Sequence, residues 1–143
     1  MDKKYVISGI SKIRNEANRF LEEKLNECNL DGFVASHGSI ISVLFRNNGS
    51  LTMGEIARIV GKDKSTITKL IEKLIEKGYV IKEKSVEDKR VTYIKLTNKS
   101  WEIQDDFNRI SSELNNKAYN GFTEKEAETL VVLLDRMLRN FMK

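Results

Sequence analysis

The side chains best suited to chemistry in this 143-residue chain are hydroxyl and cationic groups concentrated between residues 62 and 73. Their spacing places them on one face of a predicted helix whose opposite face carries Ile67, Ile71 and Leu74. Such groups near a helix N-terminus can bind DNA phosphates and the base edges of a major groove. The polar face comprises Lys62, Lys64, Ser65, Thr66, Thr68, Lys69 and Lys73.

A second charged group, Asp88-Lys89-Arg90, lies between two alternating segments, 79–84 and 91–96. Alternation of this kind predicts a β-hairpin with an extended loop. An arginine at its tip can enter a narrow minor groove, where negative potential is concentrated, and Asp88 can orient it through a charge-assisted hydrogen bond. A charged tip could instead serve only to prevent pairing of strand edges.

Two helices joined by a tight turn must position these groups. Ala57, Gly61 and Ile67 fit a helix-turn-helix, in which a small residue lies at the helix contact, a glycine forms the turn and an aliphatic residue sets the crossing angle. Thr52 and Glu55 have the spacing of a capping box, which predicts that the first of these helices begins there.

The rest of the chain is predicted to be helical. Apolar residues at three- and four-residue steps predict helices over 5–28 and 36–47, with a break over 29–32 between them, and two more helices after residue 98. The predicted order is four helices, a hairpin and two helices. The compact middle cannot cover the apolar stripes of the terminal helices, so we expect these helices to pack against each other and against a second chain.

The charge distribution favours a polyanionic partner. The net charge is +4, and residues 54–95 carry eleven basic and seven acidic residues, whereas the remainder carries fourteen of each. The single cysteine, Cys28, cannot form an internal disulfide, which fits a reducing compartment. Because no apolar run approaches the ~18 residues that span a bilayer, we expect a cytoplasmic protein without a membrane partner.

No residue pattern indicates catalysis, a metal or a cofactor. Gly61-Lys62 is followed by Asp63 rather than a hydroxyl residue, which excludes a P-loop. His37 is the only histidine, so a zinc site would have little besides Cys28 and a carboxylate to complete it. We expect His37 to cap or flank the second helix, and we expect a protein that is not an enzyme.

Four stretches, 51–57, 62–74, 77–80 and 88–97, together resemble the MarR family of bacterial winged-helix regulators; the last of them has Asp-x-Arg followed by a strand ending in Leu-Thr. The resemblance covers the whole chain. It implies a homodimer, joined through the terminal helices, that binds a pseudo-palindromic operator. It further implies a repressor that releases double-stranded DNA when a small aromatic or phenolic effector binds, or on cysteine oxidation. Lys69 stands where many members have arginine, which weakens the expectation of a bidentate guanine contact.

The expected fold class is mainly α, an α+β winged helix flanked by long dimerisation helices. The resemblance implies one MarR-type chain over 1–143, with the winged helix-turn-helix at 36–97 and dimerisation helices at 5–30 and 98–142. In this family the effector pocket lies where the terminal helices meet the winged region. Residues expected near such a pocket are Phe20, Phe33, His37, Ile41 and Trp101.

Two alternatives remain open. A winged-helix module that binds protein rather than DNA would need neither the basic segment nor the arginine at the hairpin tip. A redox-sensing repressor would use Cys28. That residue lies on an apolar stripe, which favours a buried structural thiol, whereas a redox sensor needs a cation close to the sulfur.

Overall fold

The computed structural model describes residues 1–30 and 33–143. A 3-10 turn at Lys3–Tyr5 precedes the helices α1 Val6–Glu27, α2 Ala35–Arg46, α3 Met53–Val60, α4 Lys64–Glu76, α5 Asn98–Glu102, α6 Gln104–Ala118 and α7 Glu124–Phe141. The strands are β1 Ser50–Thr52, β2 Val80–Lys84 and β3 Thr92–Leu96. Of the break predicted over 29–32, positions 31 and 32 lie outside the described residues. The chain divides into two compact units, Met1–Ile110 and Ser111–Lys143.

The helix ends lie where local interactions predict them. Thr52 Oγ1 accepts a hydrogen bond from the Glu55 N–H at 3.2 Å, and the Glu55 carboxylate accepts one from the Thr52 N–H at 2.9 Å. Thr123 and Glu126 form the same capping box at the start of α7. Gly61 ends α3 with φ +75°, a left-handed conformation that costs little only for glycine.

The sheet contains a strand that the sequence pattern does not predict. β1 pairs antiparallel with β3, with Leu51 opposite Ile94, and β3 pairs with β2, so the strand order is β1-β3-β2. A three-residue strand is too short to show alternation. Because β1 leads directly into α3, this pairing ties the start of the helix-turn-helix to the hairpin.

The first of the two helices predicted after residue 98 is divided. α5 ends at Glu102 and α6 begins at Gln104, so the expectation of one continuous helix is wrong here. The Ser100 hydroxyl donates to the carbonyl oxygen of Tyr79, and this buried contact anchors α5 to the turn before β2. Trp101 is 40% exposed, whereas Phe107 of α6 is buried.

The core of the first unit lies between α2, α3, α4 and the sheet. Its fully buried apolar side chains are aliphatic and include Ile40, Ile56, Ile71 and Ile94. The arrangement is the expected winged helix, mainly helical with one small antiparallel sheet. Over residues 1–30 and 33–143, none of the helices is both long and apolar enough to cross a membrane.

Candidate nucleic-acid interface

The helix-turn-helix holds α4 in a defined position. Ala57 and Ile67 are buried where α3 meets α4. The Gly61 N–H donates to the Ala57 carbonyl oxygen at 3.0 Å, and the Lys62 N–H donates to the same oxygen at 3.2 Å. These bonds close the turn at the end of α3, so α4 begins within a few residues and directs its polar face away from the core.

The hydroxyl groups at the start of α4 are oriented by bonds within the helix. Asp63 caps it by accepting from the Thr66 N–H and the Ser65 hydroxyl, both at 2.8 Å. These bonds lower the pKa of Asp63 to about 2, and the bond from the Thr66 N–H contributes most. The Thr68 hydroxyl donates to the Lys64 carbonyl oxygen at 2.8 Å. Ser65 and Thr68 therefore present oxygen lone pairs, and Thr68 also a methyl group, for contact with a base edge.

The lysines of α4 and of the turn before it differ in exposure and in whether a carboxylate lies beside them. Lys64 and Lys69 are exposed, and Lys62 is half-buried at the turn. Lys73 lies further along the helix, where its ammonium is 3.5 Å from the Glu76 carboxylate. The positive charge available to a ligand is therefore greatest near the N-terminal end of α4.

The hairpin carries the ion pair expected from the sequence. Arg90 Nε and Nη2 donate to the two carboxylate oxygens of Asp88, each at 3.1 Å, and the Arg90 N–H also donates to Asp88. These bonds lower the pKa of Asp88, the side-chain bonds most. The Arg90 side chain is 91% exposed, and Lys89 beside it is exposed as well. One edge of the guanidinium is thus held by Asp88, which sets its direction.

Two lysines that the sequence pattern does not single out lie beside these groups. Lys82 and Lys84 of β2 line a groove with Lys64 and Arg90, which we call the wing groove. Its other lining residues are Thr52, Met53, Gly54, Val91 and Thr92. Strand alternation places residues 82 and 84 on one face. Only the packing of the sheet against α3 and α4 shows that this face points into the groove.

Three of the residues expected near an effector pocket belong to the packed core. Phe33, His37 and Ile41 are buried. The Phe33 ring meets the rings of His37 and Tyr79 edge to face, with centroids 5.6 Å and 4.9 Å apart. The structure therefore brings Phe33 and His37 together as packed neighbours.

The other two expected pocket residues have different surroundings. The Trp101 ring lies 5.4 Å from the Phe45 ring and covers the backbone of Gly49. Phe20 of α1 is half-buried, and its ring faces the Lys24 ammonium at 5.5 Å. Trp101 thus packs against the end of α2, and Phe20 interacts within its own helix.

His37 caps the second helix, as predicted. Its Nδ1 accepts the Val34 N–H at 3.2 Å, which requires that nitrogen to be unprotonated. The pKa of His37 is lowered mainly by burial and further by the positive charges of Lys77 and Lys73. Among residues 1–30 and 33–143, no three His, Cys, Asp or Glu side chains are grouped as metal ligands would be.

Comparison with known proteins identifies the family to which this chain belongs. Residues 33–91 match the model of the MarR family. The transcriptional regulator SarZ of Staphylococcus aureus (strain MRSA252) is 31% identical over 107 residues, covering 73% of this chain and 67% of SarZ. A MarR protein from Peptoclostridium difficile superposes with a TM-score of 0.85 at 24% identity, covering 99% of this chain and 90% of that one. An E. coli MarR mutant complexed with operator DNA superposes with a TM-score of 0.80 at 24% identity, covering 96% and 99%. This chain therefore belongs to the MarR family of transcriptional regulators.

Proposed function

We propose that this regulator is a homodimeric repressor that binds a pseudo-palindromic operator in double-stranded DNA and leaves it when a small effector binds. The observation that carries the proposal is the wing groove, where four cationic residues from α4, β2 and the hairpin loop lie side by side without an acidic residue among them. The similar E. coli MarR structure is a complex with operator DNA. We propose that a regulator with this role acts in the cytoplasm, where it would meet its operator.

The polar groups of α4 and the wing divide into two roles. Ser65, Thr66, Thr68 and Lys69 would read base edges in the major groove. Lys62, Lys64, Lys73 and Lys89 would contact phosphates, which supply affinity without sequence information. Arg90 would enter the flanking minor groove, and its hydrogen bonds to Asp88 would fix the orientation of the guanidinium.

The second unit supports a dimer. α7 has no buried residue, and its apolar stripe is exposed except for Met137, which is half-buried. An exposed stripe of this length is unfavourable in water, and a second copy of the same chain would cover it. We propose that residues 5–30 and 98–142 join the two chains, and that residues 36–97 of each bind one half of the operator. The stripe comprises Leu130, Val131, Leu133, Leu134, Met137, Leu138 and Phe141.

Release of DNA would follow from a change in the separation of the two α4 helices. A small aromatic or phenolic effector would bind better to the form whose helices no longer match successive major grooves, and would shift the population towards it. We place its site near Phe20, Phe33, His37, Ile41 and Trp101. Because Phe33, His37 and Ile41 are packed in the core, binding there requires these side chains to move apart.

The proposal is tested by selecting bound duplexes from a random pool with the purified protein. We expect an inverted repeat whose half-sites are about 34–36 Å apart, one turn of the double helix. Enrichment of single, unpaired half-sites would contradict a dimer on a palindrome. Failure to enrich any sequence, with no binding of duplex at low salt, would favour the alternative of a protein-binding module.

Replacing Arg90 by Ala is expected to weaken binding to the selected duplex about tenfold or more, because the wing loses its minor-groove contact. The fold should be unaffected, since the side chain is almost fully exposed. Fluorescence anisotropy measures the affinity, and circular dichroism checks the fold. Lys3→Ala, which removes an exposed cation outside the winged region, is the control. Unchanged affinity in a folded Arg90→Ala protein would remove the wing from the DNA interface.

A second mode of regulation is favoured by one contact, that between Cys28 and Arg109. Arg109 Nη2 lies 3.1 Å from Cys28 Sγ, and the thiol is half-buried. A cation beside the sulfur is a feature of redox-sensing cysteines. A peroxide would then oxidise the sulfur: an S–O bond forms, the O–O bond breaks, and an alcohol or water leaves with the proton.

This redox alternative predicts that hydroperoxide lowers operator affinity in the wild type but not in Cys28→Ser. Mass spectrometry should find one added oxygen atom on Cys28 in the protein that has lost affinity. If oxidation of Cys28 leaves DNA binding unchanged, or if Cys28→Ser responds like the wild type, the cysteine has no role in regulation.

A further inference from the structure

The inner face of the hairpin changes character along its length. Near its base, Val80, Ile94 and Leu96 are buried against the helices. The same face of β2 continues with Lys82 and Lys84, because side chains two positions apart on a strand lie on the same side. Both lysines line the wing groove and are exposed. The side of the strand that faces the helix-turn-helix therefore changes from apolar to cationic where the core ends.

The acidic residue on this strand is directed away from the groove. Glu83 lies between the two lysines in sequence, so alternation places it on the outer face, where its carboxylate is 2.6 Å from the Lys95 ammonium. In the part of the chain that the structure describes, Lys64, Lys82 and Lys84 take part in none of the ion pairs. Their charges are thus available to an anion in the groove.

We propose that Lys82 and Lys84 bind phosphates of the DNA strand that passes through the wing groove, so that the inner face of the wing holds the duplex backbone. This inference rests on the proposed function. Residues two apart on a strand are separated by about 6.6 Å, which suits a chain of regularly repeated negative charges. The lysines would then add affinity and no sequence preference.

A different explanation is available for these lysines. β2 is an edge strand of the sheet, and lysines on an edge strand discourage pairing with other molecules. In that case their removal would promote aggregation and would leave the DNA affinity of the soluble protein unchanged. The two explanations therefore predict different results in a binding experiment.

The experiment compares the double variant Lys82→Gln/Lys84→Gln with the wild type. It measures their affinity for two labelled duplexes, one recovered by selection and one of mixed sequence, between about 50 and 200 mM salt. Each phosphate contact contributes about 0.9 to the slope of log affinity against log salt concentration, so four lysines in a dimer account for about 3.6. We expect the slope to fall by about that amount, and affinity at about 100 mM salt to fall more than tenfold, on both duplexes.

Four controls make the result specific. Lys95→Gln, compared with Lys82→Gln and Lys84→Gln made singly, removes one charge from the outer face of the same hairpin and should leave the slope nearly unchanged. Lys82→Arg/Lys84→Arg keeps the charge and should keep the slope. Circular dichroism and light scattering establish that each variant is folded and not aggregated. Inorganic phosphate, added at constant ionic strength, should not compete selectively with the duplex.

The outcomes separate this inference from the proposed function. If the wild type binds the selected duplex and the double variant keeps its slope and affinity, the phosphate contacts are refuted and the proposed repressor stands. Selective competition by inorganic phosphate would indicate a site for a free anion and would also refute them. If the wild type binds no duplex at all, both the proposed function and this inference fail.

Discussion

Replacement of Leu134 by Glu is expected to convert the proposed dimer to a monomer at micromolar concentration and to weaken operator binding by more than a hundredfold. Leu134 lies in the middle of the apolar stripe of α7 and is 40% exposed within one chain. Fully burying a leucine contributes about 1.5–3 kcal/mol, so burying the 40% that is still exposed contributes about 0.6–1.2 kcal/mol per copy, or about 1.2–2.4 kcal/mol for the two copies of a symmetric dimer. Two uncompensated carboxylates at the same contact would bring the loss above about 3 kcal/mol, which is more than a hundredfold in affinity.

Val132→Glu provides the matched control for this prediction. Val132 belongs to the same helix and is 58% exposed, but helical geometry places it on the face opposite Leu134. Sedimentation velocity should report a dimer for Val132→Glu and a monomer for Leu134→Glu. If both variants remain dimers, α7 does not form the interface. If Leu134→Glu is a monomer that binds the operator as the wild type does, DNA recognition does not need two chains.

Replacement of Ile67 by Ala is expected to lower the free energy of unfolding by about 2–5 kcal/mol, the usual cost of removing a fully buried aliphatic side chain. Ile67 is completely buried where α4 crosses α3. The cavity would loosen the contact that positions α4, so operator affinity should fall even under conditions where the variant is folded. Urea unfolding measures the stability, at one fixed protein concentration because the proposed dimerisation would make the result concentration-dependent.

Ile59→Ala is the control for Ile67. It makes the same chemical change on α3, but Ile59 is 44% exposed. Its expected cost is below about 1 kcal/mol. Equal losses for the two variants would mean that the crossing of α3 and α4 is not the stabilising contact that the packing indicates.

Features governed by neighbours in sequence could be predicted without the structure. The Thr52–Glu55 capping box, the Asp63 cap and the left-handed Gly61 each depend on bonds or sterics within three or four residues. The Asp88–Arg90 pair is similar, because the loop brings side chains two positions apart together. Local patterns of this kind, combined with the resemblance to a family, were sufficient to predict the winged helix.

Features governed by distant pairing could not be predicted in this way. β1 is a strand only because β3, much later in the chain, supplies its partners. α5 is anchored by the bond from the Ser100 hydroxyl to the carbonyl oxygen of Tyr79, 21 positions earlier in the chain. The contact of Arg109 with Cys28 joins residues 81 positions apart, and no periodicity in the sequence indicates it.

The amino-acid sequence by itself determined most of the helices, the hairpin and which charges could meet DNA, because these properties arise from local hydrogen bonding and from the period of apolar residues. It did not determine β1 or the division between α5 and α6. The tertiary structure decided which of those charges share a surface. Lys82 and Lys84 join Lys64 and Arg90 only because the sheet packs against the helix-turn-helix, and Phe33 and Tyr79 are neighbours only because the core closes around them. Proximity between distant segments results from packing the whole core, which no local pattern specifies.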